Sequence, residues 1–128
     1  MMDIQKQNNS NLISEQINEE DNYIKIAELA AKNGELDIFK FVMPKITKNI
    51  KKQIIRISTE KDQLNIIKYI AENFNLQKDD FIYIAELASI DNSYNVLIYA
   101  YEIAYPFNMT GKVYCAVSRA YKKLKAAN

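Results

Sequence analysis

The chain has 128 residues, 48% hydrophobic and 26% charged, with a net charge of +1 at pH 7. That balance fits one ordinary globular domain with a single modest core, and so small a net charge argues against a strong general pull toward nucleic acid or an acidic membrane surface. With no histidine, one cysteine and two glycines, it lacks the usual acid–base group at neutral pH and the commonest metal ligand.

Those absences set the expectations for chemistry. No Cys–His or Ser–His nucleophile pair is available, and a zinc site would lack imidazole and thiol partners. Gly34 and Gly111 do not build a phosphate-cradling loop. The expectation is a protein that is not an enzyme and holds no cofactor and no metal. No apolar run approaches the roughly 20 residues of a membrane span, and the opening MMDIQKQNNSNLISEQ has no apolar signal core. Cys115 has no second cysteine to pair with, which suits a reducing compartment. The expected setting is intracellular, cytoplasmic or nuclear.

Residues 1–21 are polar and read as a tail or a short cap helix, with 22–128 as a single helical domain. Leu12, Ile13 and Ile17 fit a short amphipathic turn with Ser10 as its cap. Ile13 and Ile17 lie one turn apart, placed to cover an open end of the domain; a disordered tail over 1–9 is the other reading.

The first helix is expected over about Asn22–Lys32, with Tyr23, Ile26, Ala27 and Ala30 on one apolar, partly small face. Asn33-Gly34 breaks it, Gly34 supplying a left-handed residue at low steric cost. A second helix over about Leu36–Met43 turns Leu36, Phe39, Val42 and Met43 inward and Lys40 outward, and Pro44 stops it. A third, Asn49–Glu60, has Ile50, Ile54 and Ile57 inward, with Lys61-Asp62 as its turn. Gln63–Phe74 follows with Leu64, Ile67, Ile70 and Phe74 inside. Asp79 or Asp80 caps a helix whose Phe81, Ile84, Ala85 and Ala88 face in. Asp91-Asn92 turns into Ser93–Tyr105, which Pro106 ends. Gly111–Ala126 is a last helix without a partner and reads as a closing cap.

This order is a repeat. Residues 26–42, IAELAAKNGELDIFKFV, match residues 54–70 at an offset of 28, pairing Ile26 with Ile54, Leu36 with Leu64, Ile38 with Ile66, Lys40 with Lys68 and Val42 with Ile70. They match residues 84–100 at an offset of 58, where Ile84-Ala85-Glu86-Leu87-Ala88 is identical to Ile26-Ala27-Glu28-Leu29-Ala30. A further shift of 30 reaches Tyr114-Cys115-Ala116-Val117-Ser118, which keeps the pattern loosely and sets Cys115 with Ala85 and Ala27 as a buried small residue. A period of this length implies a stacked, all-α array.

The segment Ala30-Ala31-Lys32-Asn33-Gly34-Glu35-Leu36-Asp37-Ile38-Phe39-Lys40-Phe41-Val42 resembles the central part of an ankyrin repeat: a small-residue pair, a turn ending in Gly, then a Leu-acid-Ile-apolar-Lys helix. Ser58 to Ile70 resembles it less closely and Ala88 to Ala100 in outline, so the likeness spans about residues 22–105. The Thr-Pro-Leu-His opening of that family is absent, with Lys25-Ile26-Ala27-Glu28 in its place, and a period of 28 to 30 is shorter than the family's 33. The resemblance implies an all-α solenoid of about three helix pairs, closed by the last helix, that binds another protein without catalysis. It carries over no contact residue, because those positions vary with the partner.

Three features bear on binding. Charge is banded: residues 1–40 carry a net −4, 41–78 a net +5, 79–109 a net −5 and 110–128 a net +5. The bands fit electrostatic matching to a partner or a second copy, or a solvated surface whose neighbouring bands attract. Lys45, Lys48, Lys51, Lys52 and Arg56 form the densest interior basic run, with Lys45, Lys48 and Lys52 sharing a face if their helix starts early; Arg119, Lys122, Lys123 and Lys125 form a second basic cluster. These carry an alternative reading, a small nucleic-acid-binding helical protein, against which stands the lack of interleaved aromatics. Where Lys40 and Lys68 stand in earlier copies the third has Ile98, flanked by Tyr99, Tyr101 and Tyr105, with Tyr94 one face away. Tyrosines there fit a partner interface, a homo-oligomer contact, or cover by the C-terminal helix.

Overall fold

A computed structural model describes residues 19–104 and 111–127. Every regular element among them is helical: α1 (19–33), α2 (Leu36–Val42), a 3-10 turn (Met43–Lys45), α3 (Lys51–Glu60), α4 (Leu64–Asn73), α5 (Lys78–Asp91), α6 (Tyr94–Ala104) and α7 (Gly111–Ala127). The tail over 1–18, Tyr105 and Pro106 lie outside the described residues, and 19–21 already belong to α1.

One turn is made three times. Gly34, Asp62 and Asn92 each adopt the left-handed region, at φ of 72°, 53° and 56°. After each, a backbone N–H reaches back five residues: Glu35 to Ala30 at 2.9 Å, Gln63 to Ser58 at 2.8 Å and Ser93 to Ala88 at 3.0 Å. This satisfies carbonyls orphaned at a helix end and reverses the chain. The turns fall at the sequence offsets of 28 and 30, so the repeat is present in the backbone.

The turns are also bonded to one another. Gln63 Nε2 donates to the Lys32 carbonyl at 2.9 Å and Asn65 Nδ2 to the Gly34 carbonyl at 2.8 Å. At the next step the Asp62 carboxylate accepts from the Val96 N–H at 2.9 Å and from Asn95 Nδ2 at 2.9 Å. Asp62 thereby caps the start of α6 from a neighbouring turn, a role a helix usually gives its own N-cap.

Packing follows from this alignment. The odd-numbered helices lie in one row, α3 against α5 and α5 against α7, and the even-numbered ones in another, α2 against α4 and α4 against α6. The core runs between the rows and through each, with Phe39, Ile54, Ile55, Ile66, Ile67, Ile70, Ile84, Val96, Leu97 and Val113 all buried. Each such aliphatic residue stabilises by roughly 1.5–3 kcal/mol.

Several expectations are corrected. Leu36, Met43, Ile57, Leu64 and Phe74 are half-buried, and Ile55, Ser58, Thr59 and Ile66 take fully buried positions instead. A helix between two neighbours in a row and one across it is covered on more than the single stripe that spacing suggests. Ile26 is 39% exposed and Ile38 is 43% exposed, whereas their counterparts Ile54, Ile84, Ile66 and Val96 are fully buried. The first pair of helices has no described predecessor to cover them. Pro44 sits inside the 3-10 turn, and α2 ends at Val42. The N-cap of α5 is Gln77, whose N–H donates to Asp80 at 2.8 Å, so Asp80 is the third helical residue and neither Asp79 nor Asp80 is the cap. Cys115 is exposed. The buried set Phe81, Ile84, Ala85, Ala88 recurs on α7 as Val113, Ala116, Val117, Ala120. That is a step of 32 residues, which moves Cys115 off the buried stripe.

Candidate interaction surfaces

The outer face of the even row carries a ladder set by the repeat. Phe41, Tyr69 and Tyr99 occupy one position, and Lys40 and Lys68 the position before it. Each lysine reaches the ring of the next copy: Lys40 Nζ lies 5.6 Å from the Tyr69 centroid and Lys68 Nζ 5.8 Å from that of Tyr99, within cation–π range. Phe39 meets Tyr69 edge-on at 5.8 Å and Phe81 meets Tyr99 at 6.5 Å. Burial, and secondarily the Glu72 carboxylate, push the Tyr99 phenol above its ordinary pKa. Phe41, in the first copy, is 67% exposed.

The tyrosine group of α6 is divided by this geometry. Ile98 and Tyr99 lie on the ladder. Tyr101 meets Tyr114 of α7 edge-on at 6.0 Å, and Tyr94 lines a hollow with Arg119, Lys122 and Lys123 of the same helix. Tyr94, Ile98, Tyr99 and Tyr101 are all half-buried against the core. The Tyr121 hydroxyl donates to Glu102 at 3.3 Å, and burial first, then that carboxylate, push its phenol upward. So α7 leans on one flank of the tyrosine group, and Ile98 and Tyr99 stand on the other.

The basic run does not form one face, because α3 starts at Lys51. Lys45 belongs to the 3-10 turn, and its Nζ lies 4.8 Å from the Phe41 centroid and 5.8 Å from that of Tyr23. Lys48, in the link to α3, pairs with Asp21 at 3.5 Å across an exposed surface, where such pairs contribute little. Lys52 and Arg56 do share a face of α3, one turn apart, beside Gln53 and Tyr83; Lys52 Nζ is 5.7 Å from the Tyr83 centroid. Lys51 and Lys52 also line a hollow with Asp79 and Asp80, where a basic band meets an acidic one. The link before α3 is held by Glu20, which accepts from Thr47 Oγ1 at 2.7 Å, Thr47 N at 2.7 Å and Lys48 N at 3.1 Å. These bonds, the Thr47 hydroxyl first, hold the Glu20 carboxyl below its usual range.

Two surfaces escaped the sequence reading. A groove of about 520 Å³ runs between α1 and α3, with Leu29 and Ile57 as apolar lining and Lys25, Glu28, Lys32 and Glu60 among its charged rim. The second is the outer side of the first helix pair, where Ile26, Leu29, Ile38 and Phe41 are exposed. The signal for the latter lay in the alignment itself, since the first copy carries core residues with no described copy ahead of it. Among the described residues no group of three or more Cys, Asp and Glu is placed to hold a metal ion, and no helix is long and apolar enough to cross a membrane. No protein-family model, no curated protein and no solved structure matches the chain.

Proposed function

We propose that this chain is a non-catalytic protein-binding module, an ankyrin-like stack of helix pairs closed by α7 and working inside a cell. The observation that carries the reading is the groove between α1 and α3, with an apolar lining of Leu29 and Ile57 and a rim of both charges. It crosses two helices that the turn-to-turn hydrogen bonds hold in fixed register. A rigid apolar strip with a charged border suits a partner's side chains, the apolar part giving affinity and the rim selecting the partner. The nucleic-acid alternative draws less support, because the basic run is split among the 3-10 turn, the link and α3. The single, exposed Cys115 accords with a reducing compartment.

Leu29→Lys tests the reading, since Leu29 is 58% exposed and its loss leaves the core intact. The expected outcome is an unchanged circular dichroism spectrum and melting curve, with at least a tenfold loss of whatever protein the wild type retains from cell extract. If the variant retains the same proteins at the same yield, the groove does not bind them. Retention of nucleic acid in their place favours the alternative.

A further inference from the structure

Apart from Leu29 in the groove and Ile90 of α5, which is 76% exposed, the exposed large hydrophobic residues stand toward the two ends of the stack: Ile26, Ile38 and Phe41 on the first helix pair, and Ile103, Tyr114 and Tyr121 on α6 and α7. The counterparts of Ile26 and Ile38 in later copies, Ile54, Ile84, Ile66 and Val96, are fully buried, and the counterparts of Phe41, which are Tyr69 and Tyr99, are half-buried. Among the described residues no helix precedes the first pair to cover Ile26 and Ile38 as their counterparts are covered.

The two ends also differ in charge. α1 and α2, residues 19–42, carry six acidic and three basic side chains, and α7 carries five basic and none acidic. On the first pair, exposed Glu35 and Asp37 flank Ile38. On α7, Tyr114, Ser118, Tyr121 and Lys125 recur at helical spacing on one exposed stripe, with Lys122 beside it. The first pair also bears lysines, with Lys45 over the Phe41 ring, but its balance of three excess acidic side chains against five basic ones on α7 favours the meeting of unlike ends. Two copies of either end repel.

We propose that a second copy of this chain docks head to tail, its α7 against the α1–α2 end of the first. This rests on the protein-binding reading above and names the partner for one surface. The contact is heterologous, so it leaves a free head and a free tail on every dimer and extends to a ring or a chain. The own N-terminal segment and a foreign protein are the competing occupants of the head.

Exposed charges make the test, so that folding is not at risk. One variant carries Glu35→Lys and Asp37→Lys, giving it two basic ends; the other carries Lys122→Glu, Lys123→Glu and Lys125→Glu, which leaves α7 with two basic and three acidic side chains and so gives it two acidic ends. Sedimentation of the full chain at low salt should show wild type above the 14.9 kDa monomer, each variant alone as monomer, and their equimolar mixture associated again. A symmetric head-to-head contact would instead leave the variant with the unchanged head associating on its own, and a tail-to-tail contact the variant with the unchanged α7. The proposal is overturned if wild type stays monomeric at all concentrations, as when residues 1–18 cover the head. It is equally overturned if either variant alone associates as wild type does. Either failure leaves the groove and its Leu29→Lys test untouched.

Discussion

Glu20 shows how one side chain fixes the first link of the stack. Its carboxylate gathers three donors from Thr47 and Lys48, more than 25 residues away in the chain. Because these bonds favour the charged form, the folded-state carboxyl titrates below its ordinary value. The sign follows by linkage: the stability it contributes is present above the unfolded pKa and is lost as pH falls through the carboxylate range. Glu20→Gln should therefore reduce the loss of stability between about pH 6 and about pH 3, read from denaturant midpoints. Parallel loss in both proteins would mean that the link is held by other contacts. At a neighbouring scale of detail, buried Thr59 Oγ1 has no hydrogen-bond partner, while Ser58 Oγ, also buried, donates to the Ile54 carbonyl at 2.7 Å.

At the scale of the element, the turns were legible and the faces less so. Asn33-Gly34, Lys61-Asp62 and Asp91-Asn92 stand out because few residues accept a left-handed backbone, and all three turns place one there. The helix faces are harder, since a helix in a row is covered from several sides and residues such as Ile55 and Ile66 lie off the single predicted stripe. Lys45, Lys48 and Lys52 share a face only if their helix starts early, and a helix beginning at Lys51 leaves Lys45 and Lys48 outside it. Likewise α7 follows a longer step than its predecessors, which no local pattern announces, and that displaced Cys115. Where α7 rests on the tyrosines of α6 is a tertiary fact with no signature in the α6 sequence.

The repeat yields a paired prediction at this scale. Ile38 and Ile66 hold the same position in α2 and α4, yet one is 43% exposed and the other fully buried. Ile66→Lys buries an ammonium group without a partner and should destabilise by about 4 kcal/mol or more. Ile38→Lys should change stability by less than about 1 kcal/mol in dilute solution. Equal costs in denaturant titrations would show that Ile38 is covered in the folded monomer.

Across the described residues the helices form two rows, with Ile54, Ile66, Ile84 and Val96 covered and their first-copy counterparts Ile26 and Ile38 partly open. Banded charge becomes meaningful only at this scale, because stacking sets the acidic α1–α2 end and the basic α7 at opposite ends of the row. The bands are plain in the sequence; that each band coincides with an apolar end is not, since it depends on which copies of the repeat are covered. The meeting of unlike ends, with a second copy as the occupant, is the central claim at this scale; the groove stands on its own test.

Residue-resolved hydrogen exchange of the full chain, at low and at high protein concentration, tests that claim most directly. The account predicts slow exchange in α3 to α6 at both concentrations, and protection of α1, α2 and α7 that rises together as concentration rises. Protection that is the same at both concentrations throughout the chain would contradict it.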